Sequence, residues 1–378
     1  MNERERCTRC ILPKSLPSVK LDTNGVCNHC KTYDRVYSNW EEVETPKKIN
    51  QFEQLLQRAK RLNNDSDCLI ALSGGKDSTY ALYLCAKVYG LKCLCVTFDN
   101  CFLSEYAKTN IKNAIKATNA DHKFYRINHH LMLKLYKTFI AKTGDFCSAC
   151  MRGIEQSKKI AEYYKIPLII DGGGRRTTYL SFHPEVFQNG DEDYFKNVIK
   201  GEPIEKSAIQ MSRESLSWKF NCGVTQACRL LKVPNPILRQ HQVHLYDYIY
   251  TPVDRIINIL SKEMGWKKPV DETEHIDCTL QGIYSYGLSL KFPEITATTF
   301  HHIGKIRLGE MTREEAMTIE QEKLGNIQIP RELDSFLSEI GMSRDEFESS
   351  MRNWRNKEKF LPKNKNIFIS AYSRMARI

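Results

Sequence analysis

Two kinds of residue cluster in this 378-residue chain could do chemistry: an anion-binding hexapeptide and three Cys-x-x-Cys pairs. The hexapeptide is Ser73-Gly74-Gly75-Lys76-Asp77-Ser78, placed after the apolar run Cys68-Leu69-Ile70-Ala71-Leu72. A helical pattern follows, with Tyr80, Leu84 and Val88 four apart and Ala81 and Leu82 beside them. Adjacent glycines let a backbone approach a ligand closely. The first N–H groups of a helix lack partners within it and favour negative charge. Lys76 adds a full positive charge, and Ser73 and Ser78 add hydroxyl donors. Strand, glycine turn and helix together make an anion site. The pattern is not the G-x-x-x-x-G-K-[ST] nucleotide loop, because Lys76 follows the glycine pair directly and precedes an Asp. An ordinary glycine-rich helix cap is the competing reading, and the full set of six residues behind an apolar strand weighs against it.

The cysteine pairs divide into two groups. Cys7/Cys10 and Cys27/Cys30 are separated by sixteen residues, the spacing of a zinc ribbon. Pro13, Pro17 and the turn Asp22-Thr23-Asn24-Gly25 lie between them, as in a short hairpin. So small a module needs its metal to fold. Four cysteines leave no open coordination position, so the expected zinc is structural. Four unrelated buried thiols is the alternative, and His29 reads as a bystander. The third pair, Cys147/Cys150, sits in Gly144-Asp145-Phe146-Cys147-Ser148-Ala149-Cys150 without a matching fourth pair. Cys222, Cys228 and Cys278 are loose candidates to complete it. A zinc site, a catalytic thiol pair and plain buried thiols all remain open there.

Around these residues, Lys92 to Asp99 reads as a second buried strand and Ser104 to Ala120 as a helix. His122 to Ile127 is a short strand, Lys158 to Tyr164 part of a helix, and Ile166 to Ile170 another strand. Alternation at these lengths predicts an α/β fold with a doubly wound parallel sheet. Ligands of such sheets bind at the carboxyl ends of the strands. The hexapeptide lies at one such end, and Asp171-Gly172-Gly173-Gly174-Arg175-Arg176 at another, where the arginines could meet an anion or simply be solvated. Before the sheet, Tyr33 to Pro46 reads as a connector and Lys47 to Asn63 as a helix with Phe52, Leu55, Leu56 and Ala59 on one side. Asp191 to Lys232 has no regular pattern and suggests an inserted, substrate-facing segment. Beyond Pro236 the chain turns mainly helical: Asp254 to Met264 ends at Gly265-Trp266, and Thr312/Glu315 and Ser343/Glu346 form helix-capping signatures. The expected units are a ribbon and connector over 1–45, an α/β domain over 46–235 and a mainly helical region over 236–378.

Bulk properties bound the function class. A net charge of +11 favours anionic partners such as nucleotides, nucleotide-linked sugars or RNA, and its even spread argues only weakly for nucleic acid. Fourteen cysteines without a signal peptide indicate a reducing, cytoplasmic setting. No apolar run approaches the ~18–20 residues of a membrane span.

The hexapeptide resembles the PP-loop of the N-type ATP pyrophosphatases, a HUP-like fold of the adenine nucleotide alpha hydrolase-like superfamily. That resemblance implies ATP and Mg2+, with the loop holding the β- and γ-phosphates and the adenine at Ala71, Leu72, Val96, Thr97 and Phe98. Ser73 to Ser78 complete the nucleotide set it implies, with Ser73, Lys76 and Asp77 as catalytic residues, and Gly172 and Gly173 at the other strand end would let backbone approach nucleotide or substrate. Across nearly the whole chain, the order of CTRCILP, GVCNHC, SGGKDST, VTFDN, GDFCSAC, the Gly-Trp after a helix, and IRLGEMTREEA is similar to the N-acetyl sugar amidotransferase family. Those enzymes serve bacterial surface-polysaccharide and flagellin-sugar biosynthesis and are taken to convert acetamido groups to acetamidino groups. The resemblance implies a sugar-linked small-molecule substrate and glutaminase partner subunits supplying ammonia. In the thiolating branch of the PP-loop group, a Cys-x-x-Cys plus one distant cysteine holds a [4Fe–4S] cluster. His275-Ile276-Asp277-Cys278 makes Cys278 the matching distant ligand to Cys147 and Cys150, and it departs from the sugar family towards that branch. The leading expectation is therefore an AMP-forming amidotransferase. The alternative is an ATP-dependent sulfurtransferase acting on tRNA or a small molecule, and a third reading is a nucleotide-sensing RNA-binding module.

Overall fold

The computed structural model describes residues 5–17, 19–37, 46–62, 65–145, 147–154, 156–173, 191–212, 241–268 and 277–362. Gly174, Arg175, Arg176, Cys222, Cys228 and the basic tail from 363 onward lie outside the described residues.

Five parallel strands form one sheet: β1 (Cys68–Ala71), β2 (Cys93–Asp99), β3 (Asp121–Arg126), β4 (Leu168–Asp171) and β5 (His241–His244), in the order β3-β2-β1-β4-β5. The chain builds outward from β1 through β2 to β3, then returns to the other side of β1 for β4 and β5. The reversal falls between β1 and β4, where open parallel sheets leave a crevice beyond their carboxyl ends. Successive β1 residues enter opposite layers, as strand pleating requires. Cys68 and Ile70 join a core with Phe52, Leu56 and Ala59 of α2 (Pro46–Arg61), whereas Leu69 packs with Leu94, Val96, Ala161 and Ile169 on the opposite face. Burial on both faces explains why these strands are continuous apolar runs.

Helix α3 (Lys76–Leu82) leaves the loop after β1 and continues as a π-helical turn over Tyr83–Val88. The wider turn changes the phase of the side chains. Tyr80 and Leu84 are buried as the four-residue spacing predicts, but Val88 is 54% exposed and Cys85 is buried. Helices α4 (Glu105–Thr118) and α7 (Gln156–Tyr163) cover the sheet. Ser104 caps α4 by accepting from the Ala107 N–H at 3.0 Å.

Three expectations about element boundaries also differ from the structure. The connector after Tyr33 is in its first part helix α1 (Asn28–Tyr37). Part of the segment read as irregular forms α8 (Glu192–Ile199) and α9 (Glu205–Ser212), whose apolar faces pack on α5 (His129–Thr143). Their polar residues are frequent enough to dilute the apolar spacing in the sequence. Beyond residue 235, where the helical region was expected to start, β5 completes the sheet and α10 (Val253–Met264) packs into the same core through Ile256, Leu260 and Met264. At four residues, β5 is too short to show a period of its own.

The remaining α-helices among the described residues are α6 (Cys147–Ile154), α11 (Gln281–Lys291), α12 (Thr299–Leu308), α13 (Arg313–Gly325), α14 (Leu333–Ile340) and α15 (Arg344–Arg352). The Thr312/Glu315 and Ser343/Glu346 capping boxes are both formed. The cysteine ribbon shares a core with Leu288, Phe292, Ile295, Ile303, Ala316, Met317 and Trp354 of this helical region. No helix among the described residues is long and apolar enough to cross a membrane.

Candidate functional site

The loop after β1 is held from behind. Gly74 has φ +84°, and a Cβ there would lie 2.6 Å from the Ala107 carbonyl oxygen, so only glycine fits against α4. Its carbonyl accepts from the Trp266 indole N–H at 3.0 Å and lies 3.4 Å from the Asn110 amide. Asn110 in turn exchanges hydrogen bonds with the backbone of Lys267. Within the loop, the Ser78 hydroxyl accepts from the Ser73 N–H at 3.2 Å and donates to the Gly75 carbonyl, while Ser73 Oγ accepts from the Gly75 N–H. Ser73 and Ser78, assigned by sequence to bind phosphate, thus also shape the loop.

Lys76 donates to Asp77 Oδ2 at 2.8 Å, and the Tyr246 hydroxyl donates to Asp77 Oδ1 at 2.7 Å. Burial beside Asp77 raises the Tyr246 phenol, which stays a donor. Gly172 lies against the same residue, and a Cβ on it would meet the Asp77 carbonyl carbon at 2.5 Å. The loops after β1 and β4 therefore close on each other across the reversal point. Gly173 donates to Asp171 Oδ1 and accepts from the Tyr246 N–H. Asp171 also accepts from Gln242 at 2.7 Å and pairs with His244 Nδ1 at 2.8 Å. Burial works to raise its carboxyl, but His244 and Gln242 outweigh it and hold Asp171 below the usual carboxylate range.

Ala71, Leu72, Val96, Thr97 and Phe98 line the adjoining ends of β1 and β2. Thr97 donates to the Leu72 carbonyl at 2.7 Å and meets His122 Nε2 at 2.8 Å. The Phe98 ring rests on Gly153 of α6, where a Cβ would come within 1.9 Å of it.

From the helical region, α12 carries His301 and Lys305 one turn apart. The positive charges of Lys305 and Lys76 act on His301, and burial above all lowers its imidazole to about 4.

The four ribbon cysteines converge. Their sulfurs all lie within 4.8 Å of one another, with Cys7–Cys30 at 4.0 Å and Cys10–Cys27 at 3.8 Å, and every one is fully buried. Thiolates held tetrahedrally about 2.3 Å from one zinc ion would be roughly 3.8 Å apart, so the set fits such an ion. Sulfur-directed N–H bonds come from Cys10 and Cys27 to Cys7, and from Cys30 to Cys27. Hydrogen bonding to Cys10 and Cys27 lowers the Cys30 thiol to about 7, with help from the Arg307 guanidinium 3.7 Å away. Arg313 Nε donates to the carbonyls of Cys7 and Cys10. The stretch between the knuckles is a turn of isolated bridges, Arg6 with Pro13 and Leu21 with Cys27, rather than two regular strands.

Cys147, Cys150 and Cys278 are brought to one place but not to single-ion spacing; among the described residues only the ribbon set meets that test. Cys147 and Cys150 stand one turn apart on α6. Cys278 arrives through a short antiparallel contact with Leu103, fixed by Thr279 N–H to the Phe102 carbonyl and Ser104 N–H to the Asp277 carbonyl. The Asn100 amide nitrogen lies 3.6 Å from both Cys150 and Cys278 sulfurs. Burial raises all three thiols, Cys150 to about 12, and Asn100 opposes that at Cys150 and Cys278. Lys291, lowered to about 8 by burial, stands close enough to Cys147 for their charges to interact.

Asn100, Asp171, His244, Tyr246 and His301 were not identified from sequence as site residues. Each is a polar residue at a strand end or on a helix; Asn100 belonged to the quoted VTFDN and Asp171 to the quoted run ending at Arg176, where the glycines and arginines drew the reading instead. Trp266 was legible as part of the Gly-Trp pair, though its bond to the loop was not.

Residues 273–376 match a family model described as LPS biosynthesis protein WbpG-like, C-terminal domain. An uncharacterized protein of Methanocaldococcus jannaschii is 23% identical over 346 residues, covering 89% of this chain and 99% of that protein. A similar solved structure is the U34-tRNA thiolase NcsA from Methanococcus maripaludis with its [4Fe-4S] cluster, at 14% identity and a TM-score of 0.36, covering 86% of this chain and 90% of that one.

Proposed function

We propose that the chain is an AMP-forming ATP pyrophosphatase that activates an amide oxygen of a sugar-linked substrate and replaces it with nitrogen. The supporting observation is the construction of the crevice between β1 and β4. The Gly74 carbonyl is engaged by Trp266, Lys76 stands at the start of α3, and Gly172 closes against Asp77. A backbone carbonyl already engaged elsewhere and a cation at the start of a helix suit a polyanion. The β- and γ-phosphates would sit in residues 73–78, with the adenine at the ends of β1 and β2. The amide oxygen attacks the α-phosphorus, the bond to the bridging oxygen breaks, and pyrophosphate leaves. Ammonia then adds to the activated carbon, AMP departs with the former amide oxygen, and the nitrogen loses a proton. Lys76 stabilises the charge that grows on pyrophosphate. Magnesium would neutralise phosphate charge when bound with the nucleotide, and Asp77 is the carboxylate the loop offers to it. The LPS-biosynthesis description of the matched segment supports a sugar substrate. Ammonia would come from glutaminase partner subunits.

Separation of spent nucleotide tests this reading: AMP and pyrophosphate are expected, and ADP with phosphate would end it. Lys76→Ala should lower turnover by about 10²–10³-fold with the fold intact.

One observation favours sulfur as the transferred atom instead, namely the shared approach of Cys150 and Cys278 to Asn100 at the tip of β2. Three thiols spaced wider than the ligands of one ion suit an iron–sulfur cubane, whose ligands bind separate irons. Bound there, such a cluster would offer an iron without a protein ligand. Anaerobic purification separates the readings: brown protein absorbing near 400 nm supports sulfur, and colourless protein holding only zinc supports nitrogen.

A further inference from the structure

The reaction proposed above gives no role to the last residue of the VTFDN stretch, although it is among the most enclosed polar groups near the crevice. Asn100 is 6% exposed. Its Oδ1 accepts from the Phe102 N–H at 2.9 Å, which fixes the amide plane and aims Nδ2 away from its own turn. That nitrogen reaches Cys150 and Cys278, contributed by α6 and by the segment beside Leu103, at 3.6 Å each. Two residues earlier on the same strand, Phe98 fills the space over Gly153, which is on α6 three residues beyond Cys150. Two independent contacts thus fasten the thiol-bearing helix to the strand whose end faces the phosphate loop. One is a packing contact that only glycine allows, and the other is a forked hydrogen bond to sulfur.

We propose that Asn100 is a positioning residue for a soft-metal site formed by Cys147, Cys150 and Cys278, and that the Phe98–Asn100 tip of β2 sets the distance of that site from the nucleotide. The thiols suit an iron–sulfur cluster, and amide N–H groups directed at sulfur are among the features that tune such groups. The proposal rests on the crevice being the nucleotide site and, for its metal, on the sulfur-transferring reading rather than the nitrogen-transferring one, but it makes its own claim about two sulfurs and one amide.

The full-length chain, purified anaerobically and reconstituted with ferrous iron and sulfide, is compared with Asn100→Ala, the near-isosteric Asn100→Asp, and Cys278→Ser. The wild type should hold iron beyond that in Cys278→Ser. Both Asn100 variants should release that iron roughly 10–100-fold faster to a chelator. The midpoint potential should fall from wild type to Ala to Asp, since the donor is first removed and then replaced by a negative charge. Equal release and equal potential would overturn the proposal. If the wild type holds no more iron than Cys278→Ser, the metal part is overturned. The positioning part is then read on unloaded protein with a short dibromide cross-linker: the yield of Cys150–Cys278 cross-link should fall severalfold in Asn100→Asp while single alkylation of each thiol does not fall. An unchanged cross-link yield sinks that part too. Release of AMP from ATP by the wild type is scored in parallel, so failure of the nucleotide reading is seen separately.

Discussion

The ribbon and the three-thiol site start from the same Cys-x-x-Cys unit and diverge in what surrounds it. In the ribbon, two units face each other, all four sulfurs lie within 4.8 Å, and all are sealed from solvent. Arg307 approaches a sulfur and Arg313 holds the knuckle carbonyls, so the cationic surroundings compensate thiolate charge. In the other site a single unit on α6 meets one distant cysteine, the three residues are less completely buried than the ribbon's, and the fixed donor is a neutral amide. A closed set with compensated charge stabilises structure. An incomplete set at the carboxyl end of β2 leaves room for an exogenous ligand. Pairs of cysteines therefore do not define a role; the second half of the coordination shell does.

The comparison can be broken most decisively at the ribbon. Cys10→Ser should remove the metal and lower Tm by about 10 °C or more, because Leu288, Phe292 and Ile303 lose the surface they pack against. Cys150→Ser should leave Tm within about 3 °C of wild type and abolish iron uptake at the second site. Equal melting of the two variants would show that both sites are structural. Gly153→Ala comes next: a methyl placed 1.9 Å from Phe98 should cost about 1–3 kcal/mol and displace α6, with no effect on ribbon metal content.

Acid sharpens the contrast on the ribbon side. Burial works to raise the Glu320 carboxyl, but His302, Thr299 and Thr296 outweigh it and lower it below its ordinary value. A depressed carboxylate contributes stability fully above the ordinary carboxylate pKa and loses it as pH falls through the folded value. The stability gap between wild type and Glu320→Gln should thus be constant near neutrality and shrink below about pH 4. A gap that widens in acid would reverse the assignment. The smallest effect is expected at the cap of α13, which also carries Arg313. Thr312→Ala should cost about 1 kcal/mol in denaturant melts and leave the three-thiol site untouched.

Local rules determined much of this protein from sequence alone. The apolar run before Ser73, the glycine pair, the Cys-x-x-Cys spacing and the two capping boxes are short-range patterns whose physics acts within a few residues. They pointed to the parallel α/β layer, the loop and the four cysteines that converge in the ribbon. Only tertiary structure decided the rest. Strand order put Gly172 against Asp77, β5 delivered Tyr246 and His244, Trp266 reached back to Gly74, and Asn100 met two sulfurs from far apart in the chain. No periodicity encodes such meetings. Each depends on where long-range packing closes the chain on itself, and a lone polar residue at a strand end carries no mark of the partner it will find.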